Sequence, residues 1–410
     1  MDENTPTTVR RRAREDLRDP GRGKSVKNFT GAPEELSREA RLVLYLSRPR
    51  MTAQDVQVCR DLLENETAET DWGRLVDFAG RNKILPLVGF NLSRHQLFHK
   101  QDGTLDMPYH YLFTSVYLTH RARNRALVDE LGRVLSRIES SGSRYAVRKG
   151  PVVLHDVYPD LGTRRMTDLD LLVHSDDLEA VRAALLACGY RQGRVSSDGK
   201  KVEPFARRTQ IFWRMNLNNE LPYIRLAERD DLTAFTFDLC KDIGNREANG
   251  TSRTEALLER ATSDEFCGVT GRRLAWDDHL MDLCLHLFKE ATTLYYIENQ
   301  ADLQLQKFVD IAGSLPRRSE TERWERLVAR AEEFEAKAEV YFALSYTEVL
   351  FPSTVPAGTL DRLRPQNLEY LDQYGASDGT PVAWNRPFVQ RLFSTGRRSE
   401  VSVRSKVPRT

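Results

Sequence analysis

The sequence predicts an α+β fold in which a small mixed sheet lies between N- and C-terminal helical regions. Three observations lead to it. Apolar residues recur at helical spacing on both sides of a central stretch, with Leu127, Leu131, Val134 and Ile138 before it and Leu280, Leu283, Cys284 and Leu287 after it. Between these flanks, short alternating runs are broken by turn residues, as strands are. The chain is 410 residues long, more than one core usually supports, so two or three subdomains are expected. The expected divisions are a disordered basic tail over 1–32, a helical region over 33–141, an α/β core over 142–245, a second helical region over 246–350 and a mostly irregular tail over 351–410.

Composition narrows the function. Lys and Arg number 61 against 60 Asp and Glu, a net charge of +1, so bulk nucleic-acid binding is not indicated and nothing draws the chain to a membrane surface. With 40% hydrophobic and 30% charged residues it reads as a soluble globular protein. Cys59, Cys188, Cys240, Cys267 and Cys284 are widely spaced with no C-x-x-C pair, which argues against a disulfide scaffold or a zinc site and for a reducing compartment. The opening MDENTPTTVRRRARED lacks the apolar core of a signal peptide, and no apolar run approaches the roughly 18 residues that span a bilayer. A cytoplasmic location is expected.

The elements follow in order. Residues 1–32, with Arg10, Arg11, Arg12 and Arg14, show no apolar period and read as a solvated tail rather than an anion-binding arm. Pro33 suits a first helical position, and Leu36, Ala40, Val43 and Leu44 share a helical face. Trp72, Leu75, Val76 and Ala79 mark a second helix, followed by the apolar segment Ile84 to Leu92. A long helix runs from about Tyr111 to Ser140 and ends at Gly142.

The stretch VRKGPVVLHDVYPDLGTRRMTDLDLLV, from Val147 to Val173, carries the chemistry. A strand ends at Lys149-Gly150, where a glycine lets backbone N–H groups approach a phosphate and the lysine adds a point charge. Arg164 and Arg165 come next, guanidinium forks suited to clamping a phosphate. Asp168 and Asp170 then share one face of a strand while Leu169, Leu171 and Val173 take the other. Two carboxylates so close repel each other, but they suit divalent cations shared with a triphosphate.

After this strand, Asp176 and Glu179 can cap a helix whose buried face is Leu178, Val181, Leu185 and Cys188, with Gly189 closing it. Ser196 to Gly199 reads as a turn, and Gln210 to Trp213 and Leu221 to Ile224 as antiparallel strands. In Phe235-Thr236-Phe237-Asp238-Leu239-Cys240 the apolar residues alternate with Thr236, Asp238 and Cys240, so Asp238 lies on the face opposite the buried one. Beyond residue 250 the signal is helical: one stripe through Leu280 to Phe288 and another through Leu305, Phe308, Val309 and Ala312 pack as an antiparallel pair. Helices continue from Trp324 to Phe342, and the end is basic, with Arg397, Arg398, Arg404, Lys406 and Arg409.

Lys149, Gly150, Tyr158, Asp160, Gly162, Arg164, Asp168 and Asp170, in that order, resemble the signature of the bacterial uncharacterised nucleotidyltransferase family within the DNA polymerase beta-like superfamily. Looser matches extend from about residue 36 to 315, among them Asp71-Trp72, Leu85-Pro86-Leu87, Ala122-Arg123-Asn124 and Glu220-Leu221-Pro222. The chain departs from the wider superfamily at Gly150-Pro151, where Gly-Ser or Gly-Gly is usual, and from the closer family at Cys240, where His is usual.

The resemblance implies transfer of a nucleoside monophosphate from an NTP to a hydroxyl or phosphate of a small molecule or peptide; a tailoring step in specialised metabolism is one setting for it. It implies Asp168, Asp170 and a third carboxylate around Mg²⁺ or Mn²⁺. Asp238 is the best candidate for the third, with Glu220 and Asp242 as rivals. Lys149, Gly150, Arg164 and Arg165 would hold the phosphates. Asn124, on the inward stripe of the long helix, suits an interhelical hydrogen bond more than a nucleotide contact. His286 and Asp310 match family positions and suit a buried bond between paired helices. Two other accounts stay open: the same fold and metals with another donor such as a nucleotide sugar, and a non-catalytic nucleotide-binding protein.

Overall fold

The computed structural model describes residues 35–64, 70–105, 107, 109–244, 250–379 and 381–403. The readings of residues 1–32, of Pro33 and of Arg404, Lys406 and Arg409 lie outside them. The fold is α+β, with a mixed sheet between helical layers.

The N-terminal layer holds α1 (Arg38–Leu46), α2 (Ala53–Glu64), α3 (Trp72–Arg81), α4 (Leu85–Arg94) and the long α5 (Tyr111–Glu139). Ser37 caps α1 by accepting from the Ala40 N–H, and Asp71 caps α3 by accepting from the Arg74 N–H. The apolar segment from Ile84 becomes α4, whose first turn accommodates Pro86. Sequence periodicity passes over α2, yet Thr52 and Asp55 exchange the reciprocal bonds of a capping box at its start.

Seven strands form the main sheet: β1 (Tyr145–Arg148), β2 (Leu169–Val173), β3 (Arg191–Gln192), β6 (Tyr223–Leu226), β7 (Ala234–Cys240), β8 (Thr262–Phe266) and β9 (Val269–Arg273). Their order is β3-β6-β7-β2-β1-β9-β8. β1 and β2 are antiparallel, whereas β2 with β7 and β1 with β9 are parallel. The central β1 and β2 are buried along their whole length, which is why they are almost wholly apolar. Between β1 and β2 runs α6 (Gly150–Val157), and after β2 comes α7 (Leu178–Ala187). A separate hairpin pairs β4 (Arg194–Val195) with β5 (Val202–Glu203) around the turn expected at Ser196 to Gly199.

Several expectations change. Gln210 to Trp213 belong to a helix, α8 (Arg207–Asn216), not a strand; three consecutive apolar residues do not distinguish the two periods. Between α9 (Gly250–Arg260) and the helices that follow, the β8–β9 hairpin adds two strands where only helix is expected. Thr262 to Glu265 are all exposed at the sheet's edge, so no apolar alternation announces them. Asp176 does not cap α7. His174 accepts from the Asp176 N–H, and Asp177 is drawn instead to the Arg144 side chain, 2.7 Å away.

The C-terminal layer comprises α10 (Trp276–Thr292), α11 (Leu294–Glu298), α12 (Leu305–Ser314), α13 (Thr321–Glu333) and α14 (Lys337–Leu350). Residues 351–403, expected to be mostly irregular, carry α15 (Ala357–Leu363), the strand pair β10 (Gln373–Tyr374) and β11 (Val382–Ala383), α16 (Phe388–Leu392) and α17 (Arg397–Glu400). One apolar core runs from Ala40 to Phe393, so the helical layers and the sheet share an interior, while Leu294 and Ile297 of α11 form a second, smaller cluster with Tyr374 and Trp384. All five cysteines are free. Among the described residues no helix is long and apolar enough to cross a membrane.

Candidate active site

The site begins where β1 stops. Arg148 turns its side chain inward to a buried two-point ion pair with Asp282 of α10, which ties the sheet to the C-terminal layer. Lys149 then takes φ 49°, a left-handed conformation uncommon for a residue with a Cβ, and α6 starts at Gly150. A Cβ on Gly150 would lie 2.9 Å from the Met166 sulfur, so glycine lets the turn pack under the loop that returns to β2 without displacing that side chain.

That return loop is held in shape by motif residues. Asn124 of α5 donates to the carbonyls of Leu161 and Arg164, at 2.5 and 2.8 Å, so its role is to brace a loop and not to join two helices. Asp160 accepts from the Gly162 N–H and the Tyr117 hydroxyl, each at 2.8 Å. A Cβ on Gly162 would come within 2.6 Å of the Tyr117 ring. Arg164 makes a buried two-point ion pair with Asp310 of α12 at 2.7 and 3.0 Å, and the Tyr158 hydroxyl donates to the same carboxylate at 2.7 Å. Asp310 therefore bonds Arg164 and Tyr158 rather than His286, whose partner is Glu290 one turn along α10 at 3.1 Å. Arg165, next in sequence, lines the cleft.

The acids come together through the sheet. In the parallel pairing of β2 and β7, Asp170 stands directly across from Asp238, and Asp168 immediately precedes β2. Phe235, Phe237 and Leu239 are buried, while Thr236, Asp238 and Cys240 face the same cleft as Asp168 and Asp170. Burial, and then the charges of Asp168 and Asp170, push the Asp238 carboxyl up to about 8. Asp168 is raised too, by burial and by Asp170. The Lys149 ammonium lies 3.5 Å from the Asp170 carboxylate and offsets part of this negative charge.

The rivals to Asp238 are otherwise engaged. Glu220 is bound by the Arg182 guanidinium and accepts from the Tyr223 hydroxyl at 3.0 Å. Asp242 lines the cleft but accepts from the Gly244 N–H at 3.0 Å. Cys240 donates its thiol to the Asp242 carbonyl, so it cannot stand in for an imidazole base.

The cleft has a volume of about 580 Å³. Its far walls bring in residues that sequence spacing does not mark: Lys83 between α3 and α4, Trp213 of α8, Lys289 of α10, and Tyr295 and Tyr296 of α11. The two tyrosine rings meet edge to face at 5.3 Å. Only Lys83 leaves a local clue, a lysine just past a helix end where glycine is the usual residue.

Hard divalent cations take oxygen ligands, and Asp168, Asp170 and Asp238 offer carboxylates on adjoining strands. Among the described residues no three acidic, His or Cys side chains already close around one point. The donor set nonetheless fits such an ion in kind, because three clustered carboxylates, two of them held above their ordinary range, form a concentration of charge that a divalent cation relieves.

Comparison with known proteins adds one match, to the family described as uncharacterised nucleotidyltransferase, over residues 68–352. No curated protein matches the chain.

Proposed function

The chain belongs to the uncharacterised nucleotidyltransferase family, and on that footing we propose that it is a metal-dependent enzyme that moves a nucleoside monophosphate from an NTP to a hydroxyl or phosphate of a small molecule or peptide. The observation that carries this reading is the register of β2 and β7, which sets Asp238 beside Asp170 in a cleft that also holds Asp168 and Lys149.

Asp168 and Asp170 would hold Mg²⁺ or Mn²⁺, and the ion when bound would neutralise the triphosphate. Asp238 orients the acceptor oxygen and takes its proton as that oxygen attacks the α-phosphorus. The new O–P bond forms as the bond from the α-phosphorus to its bridging oxygen breaks, and pyrophosphate leaves with the electron pair. Lys149 and the backbone at Gly150 hold phosphate oxygens, and Arg165 neutralises charge on the leaving group. Arg164 serves mainly as a positioning residue in this reading, since its ion pair with Asp310 sets the loop that carries Arg165.

Pro151 favours a second reading. It has no N–H, so the first turn of α6 offers one donor fewer to a triphosphate than a Gly-Ser turn does, which leaves room for another donor such as a nucleotide sugar.

Calorimetry of NTPs and nucleotide sugars with and without Mg²⁺ or Mn²⁺ separates these readings. Tighter NTP binding with metal, and loss of that gain in the double variant Asp168→Asn, Asp170→Asn, is the expected result. Binding of nucleotide sugars alone moves the second reading ahead. NTP affinity that metal does not raise, and that the double variant retains in full, would remove the acids from the donor site.

A further inference from the structure

At the Asp168 end of the cleft, basic side chains gather from three separate segments. Lys83 comes from the α3–α4 turn, Arg165 from the loop before β2, and His120 and Arg123 from α5. Lys83 and Arg165 line the cleft. Arg123 and Arg165 bear on His120, and Arg123 bears on Arg165. Among the described residues no ion pair is made by Lys83, Arg123 or Arg165. Of the other cations around the acids, Arg148 is paired to Asp282, Arg164 to Asp310, Lys149 to Asp170 and Lys307 to Glu290, while Lys289 lines the cleft without an ion pair among the described residues.

These groups are held in place. Asn82 accepts from the Leu305 N–H with its side chain at 2.9 Å and from the Gln306 N–H with its carbonyl at 3.2 Å. The Gln306 side chain in turn donates to the Arg165 carbonyl at 3.1 Å. One residue of α12 thus links the Lys83 turn to the Arg165 loop. Lys83 itself is kept at φ 58°, a strained conformation for a lysine that glycine would adopt freely. The buried Arg123 Nε and His120 Nδ1 have no hydrogen-bond partner among the described residues. Asp168 bears on Lys83 and Arg165, and Asp231 lies near Arg123, but the cations also repel one another, and a polyanion would relieve them.

We propose that Lys83, Arg123 and Arg165 form a phosphate subsite beside Asp168, which takes the terminal phosphates of the donor and the pyrophosphate it leaves. The assignment to the donor rests on the nucleotidyl-transfer reading, whereas the binding of phosphate does not. A flexible ammonium and two guanidinium forks match a polyphosphate better than a single carboxylate. The cluster lies toward Asp168, whose charge bears on Lys83 and Arg165, both of which line the same cleft.

Titration of the full chain with inorganic pyrophosphate, in chelator and without metal, tests this. Wild type should bind, and Lys83→Met and Arg123→Met should each weaken binding at least about tenfold, the size of one charge-assisted contact. The double variant Asp168→Asn, Asp170→Asn should bind pyrophosphate at least as well as wild type. Lys83→Gly relieves the backbone strain, so it should melt no lower than wild type and still lose the anion, which separates binding from folding. Pyrophosphate binding that depends on Lys83 upholds the subsite even where no NTP binds, so the two readings fail separately. No binding by wild type, or unchanged binding by both Lys83 variants, overturns it. Orthophosphate binding as tight as pyrophosphate, with no competition from NTP, would assign the cluster to an acceptor's phosphate and overturn the donor assignment.

Discussion

Lys83 and Asp238 face the same cleft and are displaced in opposite senses by one cause, loss of water around a charge. Burial and then the Arg165 charge pull the Lys83 ammonium down from 10.5 to about 8, against the weaker support of Asp168 and Asp310 and with Arg164 adding to the repulsion. Lys307 is a further cation in its surroundings. Because the folded value lies below the unfolded one, the unfolded chain binds this proton more tightly between about pH 8 and 10.5. Lys83 therefore destabilises the fold fully below pH 8, and that penalty fades as pH rises toward 10.5. Lys83→Met keeps the same backbone strain and removes the charge, so it should melt higher than wild type at pH 7, by a margin that shrinks toward pH 10. A margin independent of pH, followed by thermal unfolding, would show that the charge is not what strains the site. The D-x-D spacing was legible because strand alternation is a local property. Lys83 was not, because nothing near it in sequence says which cleft its turn will reach.

Among the elements, the loop before β2 and helix α12 depend on each other. Arg164, Asp310 and Tyr158 form a buried polar knot, and α12 packs so closely on α6 that a Cβ at Gly313 would overlap Val157. Asp310→Asn leaves the Arg164 charge buried without its counter-ion, a loss of about 3–5 kcal/mol. The paired change Arg164→Met, Asp310→Leu should recover most of that stability in denaturant titrations. Pyrophosphate affinity should nevertheless stay lowered in the paired variant, because the Arg165 loop has lost its anchor; full recovery of both would mean that Arg164 does not position the loop. The sequence marked Arg164 as a phosphate clamp because exposed and buried arginines look alike in a motif. Its partner lies in another layer, and only the packing of α12 against α6 brings them together.

For the molecule as a whole, one core ties the last described segment to the first. Phe388 of α16 stacks on Tyr346 at 3.9 Å, and Arg397 pairs with Asp302 at 2.9 Å just ahead of the helix that anchors Arg164. A chain ending at Pro356 would uncover Tyr346 and Phe308, so it should unfold with a broadened transition and aggregate where the full chain does not. Cooperative melting of that truncation at the wild-type temperature would show instead that the segment is dispensable. The sequence by itself determined the α+β class, the long helix α5, the paired acids where β2 begins and the alternation of β7, since helix and strand periods need only the chain's own geometry. The tertiary structure alone decided that Asp170 stands across from Asp238, that Arg164 is committed to Asp310, that an exposed hairpin extends the sheet and that Lys83 joins the cleft. Each of these depends on contacts between distant segments, where burial and desolvation, rather than spacing, select the partner.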